Sequence, residues 1–289
     1  MQVETSAFAA LGLKASLVEG LLHEHSVKDP TPVQRAVIPR ALRQENLLLA
    51  AATGSGKTLG YMLPIVQSLV TQEQTGYVRA SMRPRAVILV PTRELARQVL
   101  QEVKSISHHC KVASTAVLGG EPSGTQKKAL AGIQDIVVAS PGRLLLHKEK
   151  GNVFFSQVTH VVIDEVDTML MQGFGSEIRA VLRATQGRPE GKPAAQLIMA
   201  TATLTPAVRK LLDDVSGFDI AYSDPSNKTP PKAGIKDVAS STGTPATARN
   251  SRVTMSIVEV DGVGRSVNIS FHTRFHTIII FLTLSWNPT

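Results

Sequence analysis

The segment Ala51-Ala52-Thr53-Gly54-Ser55-Gly56-Lys57-Thr58 constrains this chain more than any other. An apolar run, Leu47-Leu48-Leu49-Ala50, leads into it, and a helix-compatible stretch over residues 59–70 follows, with Pro64 as the point where a bend is expected. Apolar strand, glycine turn ending in Gly-Lys-Thr, then helix is the context of a phosphate-binding loop. Glycines let backbone N–H groups turn inward around a phosphate with no Cβ in the way, and the opening helix adds the positive end of its dipole. In such a loop Thr53, Gly54, Ser55 and Gly56 line the cradle, Lys57 reaches the β- and γ-phosphates, and the Thr58 hydroxyl holds Mg²⁺. The strict pattern opens on glycine, and Ala51 stands there instead. A glycine turn without a ligand is the plainer reading; the flanking strand and helix weigh against it.

Apolar runs predict further strands at 86–90, 112–118, 135–139, 160–163, 196–199 and 218–222. Helices are expected over 8–24, 33–43, 92–106, 124–131, 141–147, 166–185 and 205–214, and the polar stretch 71–85 reads as a loop. Strands alternating with helices predict an α/β doubly wound parallel sheet with right-handed crossovers. Ligands of such sheets sit beyond the carboxyl ends of the strands. The chemically suggestive segments 51–58, 91–98, 119–120, 140–143, 164–167 and 201–203 all fall there.

Composition narrows the classes. The formal net charge of +8 favours a polyanionic partner, although many basic proteins have none. One cysteine, Cys110, excludes an internal disulfide and a cysteine-rich zinc site, and fits a reducing compartment. No apolar run reaches the length of a membrane span; the most apolar piece, 277–286, is too short and follows Arg274 and His276. The first residues lack the pattern of a secretory signal. The expectation is an intracellular monomer with no membrane contact; nucleus, cytoplasm and organelle all suit it.

Asp164 and Glu165 end the apolar run Val161-Val162-Ile163. Magnesium on a nucleotide needs a carboxylate at the edge of the phosphate site, for which Asp164 is the candidate. Glu165, one residue on, is placed to orient the attacking water as general base. With Lys57, these two carboxylates are the candidate catalytic groups. An acidic helix start favoured by the dipole is the competing explanation.

These segments, with Pro32-x-Gln34, Pro91-Thr92-Arg93-Glu94-Leu95-Ala96-Arg97-Gln98, Gly119-Gly120, Ser140-Pro141-Gly142-Arg143, Asp164-Glu165-Val166-Asp167 and Thr201-Ala202-Thr203, stand in the order and rough spacing of one family. The chain resembles the DEAD-box ATP-dependent RNA helicases over residues 8–222, the first of their two RecA-like domains. The resemblance implies ATP and Mg²⁺ as cofactors and RNA as partner. It makes Gln34 the reader of adenine, since an amide both donates and accepts. It makes Pro91, Thr92, Arg93, Gly119, Gly120, Pro141, Gly142 and Arg143 contacts to the RNA backbone, with low sequence specificity. It makes Thr201 and Thr203, through Asp167, the link between nucleotide and RNA states. Val166 stands where the family usually has Ala, and Thr201 where it has Ser. Ser26-Val27 replaces the usual Gly-Phe, so the aromatic flanking adenine is missing, with Phe8 as a possible substitute.

The expected division is an ATP-binding domain over 1–224, a Ser/Thr/Pro/Gly-rich linker over 225–251, and an incomplete second domain or unrelated tail over 252–289. A strand is expected at 252–260, but no βα repeat and no His-Arg-x-Gly-Arg-like segment follows. The chain then reads as a truncated helicase. In related NTPases the missing arginine finger is worth roughly 10³–10⁵ in rate, so weak turnover and negligible unwinding are expected. The alternative is a non-catalytic ATP- and RNA-binding module.

Overall fold

The computed structural model describes residues 6–22, 29–186, 194–216, 255–260, 266–267 and 279–282. Six strands form where the apolar runs predict them: β1 (Asn46–Ala51), β2 (Ala86–Leu89), β3 (Ser114–Val117), β4 (Ile136–Ala139), β5 (His160–Ile163) and β6 (Gln196–Thr201). They stand in the order β3-β4-β2-β5-β6-β1, and every neighbouring pair is parallel. Leu89 lies between Ala139 and Ile163, so the strands that carry the candidate loops end level. Parallel neighbours need crossovers. The helices α1 (Ala15–Gly20) and α2 (Pro32–Leu42) precede β1, and α3 (Lys57–Gln74), α4 (Arg93–Cys110), α5 (Ser123–Leu130), α6 (Pro141–Glu149), α7 (Val166–Met171) and α8 (Gly175–Gln186) connect the strands. A last helix, α9 (Pro206–Ser216), follows β6.

Every residue of β2, β4 and β5 is buried, as strands covered on both faces require. Side-chain alternation divides the interior in two. Leu47, Leu49, Ala86, Ile88, Ile136, Val138 and Ile198 pack with residues of α1 to α4. Leu48, Val87, Leu89, Val137, Val161, Ile163 and Leu197 pack with residues of α5 to α9 on the other face. This is the doubly wound α/β sheet that the sequence implies.

Boundaries differ where glycine chemistry intervenes. The single helix expected over 8–24 is a short 3-10 turn, Ala9–Leu11, followed by α1, because Gly12 turns the chain at φ 93° and Lys14 is extended. The helix α3 runs through Pro64 to Gln74, into the expected loop, and stops just before Gly76 at φ 88°. Gly173, at φ 87°, splits the expected run 166–185 into α7 and α8. The expected strand at 218–222 lies outside the described residues. The run at 252–260 yields β7 (Met255–Val260), whose backbone pairs in parallel with β1, as does that of β9 (Ile279–Leu282). A two-residue strand, β8 (Ser266–Val267), pairs antiparallel with β7. No helix among the described residues is long and apolar enough to cross a membrane.

At the sheet edge opposite the candidate loops, a charged network has its central pair, Arg85 and Asp135, buried and its outer members, Glu73 and Arg79, partly exposed. Arg85, 1% exposed, donates from Nε and Nη2 to Asp135 Oδ1 at 3.1 and 2.7 Å. It also donates from Nη2 to Glu73 at 2.6 Å and from Nη1 to the Leu69 carbonyl at 2.8 Å. Asp135 Oδ2 accepts from Arg79 Nη1 at 3.0 Å and the Ala113 amide at 2.8 Å. These bonds tie α3 to the starts of β2 and β4.

Candidate nucleotide site and adjoining cleft

The loop between β1 and α3 is shaped by Gly54 at φ 76° and Gly56 at φ 88°, a region that L side chains enter at a cost of roughly 1–2 kcal/mol. A Cβ on Gly56 would lie 2.6 Å from Gln34 Nε2. The start of α2 grips this loop. Thr31 Oγ1 donates to the Ser55 carbonyl at 2.9 Å, and Gln34 Nε2 donates to the Gly56 carbonyl at 3.1 Å. Thr31 and Gln34 also complete a reciprocal helix cap: Gln34 Oε1 accepts from the Thr31 amide, and Thr31 Oγ1 from the Gln34 amide. Lys57, 9% exposed, donates to the Ala51 and Ala52 carbonyls at 2.6 and 2.9 Å. Burial pushes its ammonium below the ordinary lysine value, and Asp164, Glu165 and Asp167 push back. The Ser55 hydroxyl is buried with no hydrogen-bond partner among the described residues.

Asp164, 3% exposed at the end of β5, is held through both oxygens. Its Oδ2 accepts from the Tyr61 hydroxyl at 2.7 Å, and its Oδ1 from the Glu165 amide at 3.0 Å. Burial raises its carboxyl, while the Tyr61 hydrogen bond and the Lys57 charge lower it; the net direction is upward. Glu165 adopts φ 52°, ψ 51°, in the left-handed region. Left-handed backbone at a non-glycine residue costs about 1–2 kcal/mol, and such strain gathers at functional positions.

Thr201, Thr203 and Asp167 meet across β6 and α7. Thr203 donates to Asp167 Oδ2 from its hydroxyl at 2.6 Å and its amide at 3.0 Å. The fully buried Thr201 donates to the Thr203 carbonyl at 2.8 Å. Burial alone would raise the Asp167 carboxyl, but the Thr203 hydroxyl and the Thr168 and Thr203 amides hold it below the ordinary 3.8. Its Oδ1 is buried without a partner among the described residues. A depressed carboxylate stabilises the fold above its unfolded pKa, and that contribution disappears as pH falls through the folded value. Thr203→Val is therefore expected to cost about 2 kcal/mol at pH 7, the worth of a hydrogen bond to a charged group. Urea denaturation should show the deficit shrinking as the pH is lowered below 3.8.

Beside this site an open cleft of about 410 Å³ is lined by Pro91, Thr92, Arg93, Glu94, Gly119, Ser140, Gly142, Arg143 and Phe174. Three strand ends build it. Thr92 caps α4 by accepting from the Leu95 amide at 3.1 Å. Ser140 accepts from the Gly119 amide at 3.2 Å, and Arg143 donates to the Glu121 carbonyl at 2.9 Å. Gly120, at φ 74°, lies so close to Arg93 that an added Cβ would sit 3.0 Å from its guanidinium. Pro141 opens α6 as its buried first residue. The cleft brings the Arg93 and Arg143 guanidinium groups to one sheet edge.

A family model described as DEAD/DEAH box helicase matches residues 31–211. The chain belongs to that family. It is 42% identical over 213 residues to DEAD-box ATP-dependent RNA helicase 39 of Arabidopsis thaliana, covering 72% of this chain and 34% of that relative. Against ATP-dependent RNA helicase DeaD of Escherichia coli the identity is 35% over 207 residues, with 71% and 30% covered. Among solved structures, the yeast DEAD-box splicing factor Prp28 superposes with a TM-score of 0.62 at 29% identity, over 70% of this chain and 47% of that one. A hypothetical ATP-dependent RNA helicase from Sulfolobus tokodaii gives 0.59 at 31% identity, over 70% and 54%. The chain thus spans about a third of the length of these two sequence relatives.

Within this DEAD-box domain the predicted residues divide into two groups, the loop with its carboxylates and the cleft. Gln34 is 2% exposed and engaged with the loop and its own helix cap rather than at an open edge. Phe8 is fully buried in the core beside α1 and α2, so it presents no face to a base; Ser26 and Val27 lie outside the described residues. Val166 is buried in the opposite core, where its extra methyls pack. Sequence reasoning missed Thr31, Tyr61 and Phe174. The Thr-x-x-Gln spacing of a capping box marks Thr31 in advance. Tyr61 sits in an apolar run that reads as core, and Phe174 follows a glycine whose turn alone aims it at the cleft.

Proposed function

We propose that this chain is the ATP-binding part of an ATP-dependent RNA helicase, holding Mg²⁺–ATP on the Gly54–Lys57 loop and an RNA backbone in the neighbouring cleft. One observation carries the reading: an ammonium, Lys57, and a carboxylate, Asp164, are buried within electrostatic reach of each other beside a left-handed glycine loop. Burying unlike charges without a direct pair is costly, and it suits a site that binds a ligand carrying both signs. Among the described residues no three His, Cys, Asp or Glu side chains cluster to hold a metal alone. That fits magnesium, which takes one or two protein oxygens plus substrate phosphates. Thr58 and Asp164 are those oxygens, and the ion neutralises phosphate charge when bound. Lys57 would exchange its two loop carbonyls for phosphate oxygens. The Ser55 hydroxyl, unpartnered among the described residues, could donate to a phosphate oxygen without giving up another bond. Glu165 orients and deprotonates the attacking water. Asp167, Thr201 and Thr203 couple this step to the RNA side, where the amides and arginines of the cleft contact phosphates rather than bases. Residues 1–224 form this domain, 225–251 the linker, and 252–289 the start of a second domain or an unrelated tail.

Titration with a fluorescent ATP analogue and a labelled single-stranded RNA tests the proposal. Nucleotide should bind more tightly with Mg²⁺ than with EDTA. RNA affinity should fall with rising salt, as phosphate neutralisation demands, and differ little between unrelated sequences. Salt-independent binding of one RNA sequence, or no nucleotide binding, would overturn it.

A further inference from the structure

The nucleotide reading gives the Tyr61 hydroxyl no task, although it bonds a carboxylate of the site. Tyr61 is 0% exposed and packs in the apolar cluster of α1 to α4. A phenol in such a place needs a partner, and it takes the carboxylate of Asp164 at 2.7 Å, a residue 103 positions away just past the end of β5. It stands on α3 one turn past Lys57 and three residues past Thr58, so it lies on the same helical face as both. The Thr58 side chain acts on the same phenol oxygen.

We infer that Tyr61 is a positioning residue for the magnesium site, its hydroxyl fixing the orientation of Asp164 and bringing Thr58 and Asp164 into one frame. The inference rests on the proposed function and deepens it. Asp164 has two anchors, the Glu165 amide on Oδ1 and Tyr61 on Oδ2. With both in place the carboxylate cannot rotate about its Cβ–Cγ bond, and each oxygen keeps a lone pair for a metal or a metal-bound water. With the amide alone, one oxygen is held and the other swings. Groups that orient a metal ligand typically change metal affinity 10–100-fold when removed. The Glu165 amide is backbone, so Tyr61 is the anchor that a side-chain substitution can remove.

The test compares Tyr61→Phe with the unaltered chain by titrating a fluorescent ATP analogue with Mg²⁺ and again with EDTA. Tyr61→Phe keeps the ring and its packing. Its expected result is about a tenfold loss of the affinity gained from Mg²⁺, with affinity in EDTA unchanged. In an Asp164→Ala background the same substitution should change neither series, because the oriented group is gone. An undiminished magnesium gain in Tyr61→Phe, or an equal loss in both series, overturns the inference and leaves the nucleotide site standing. If the unaltered chain gains nothing from Mg²⁺, the site and the inference fall together. Should Tyr61→Phe not fold, Tyr61→Met gives the same comparison, with the same outcomes deciding it.

Discussion

Asp135→Ala is expected to destabilise the domain by about 3–5 kcal/mol, the range for leaving a buried ion without its partner. Asp135 accepts two bonds from Arg85, one from Arg79 and one from the Ala113 amide. Its removal leaves the guanidinium of Arg85, which is 1% exposed, with the partly exposed Glu73, the Leu69 carbonyl and the face of the Tyr77 ring as partners. It also removes the acceptor of the part-buried Ala113 amide beside β3 and β4. Urea denaturation reads this as a lower midpoint with an unchanged slope, because the surface exposed on unfolding stays the same. Replacing both charges, Arg85→Met with Asp135→Leu, should recover a large part of the loss, since paired apolar replacements of buried ions are often near neutral. A single-variant cost under 1 kcal/mol would mean that water reaches the network.

Lys57→Met acts at the opposite edge and on a different quantity. It is expected to weaken binding of Mg²⁺–ATP by about 3 kcal/mol, more than a hundredfold. The ammonium is the only lysine or arginine group on the loop, and a thioether supplies neither charge nor donor. The melting temperature should move little. The variant loses two bonds to the Ala51 and Ala52 carbonyls but also the burden of a desolvated ammonium, and these effects oppose one another. Calorimetric titration measures the first quantity and a thermal melt the second. A matched loss of both would make Lys57 a strut of the loop rather than a phosphate ligand.

The parts that sequence made legible share one physical basis. Strands such as Ala86–Leu89 and Ile136–Ala139 are apolar at every residue because both faces are covered, so they stand out without any alternation to detect. The glycine loop is legible because its backbone conformation restricts the residues allowed. Long-range polar pairing is not. Arg85 sits in a stretch whose polarity reads as loop, and nothing local shows that Asp135, 50 residues on, withdraws it from water. Tyr61 hides for the same reason: its ring obeys the apolar pattern and only its oxygen departs from it. Gln34 stands out in the sequence as the expected reader of adenine, whereas its bonds to the Thr31 amide and the Gly56 carbonyl are visible only in the structure. The break at Gly12 went unread because glycine within a helical pattern is tolerated as often as it ends one.

The strand order also has a consequence in time. The strand β1, bearing the glycine loop, pairs with β6 on one side, and Asn46 bonds the Leu197 amide across a separation of 151 residues. On its other side stand β7 and β9, which come later still. At synthesis rates of roughly 5–20 residues per second, β1 leaves the ribosome about 8–30 seconds before any strand exists to pair with it. Throughout that interval Leu47 and Leu49 can pack only on the flanking helices α2 and α3, and the backbone groups of β1 wait for the far end of the domain to pair with them.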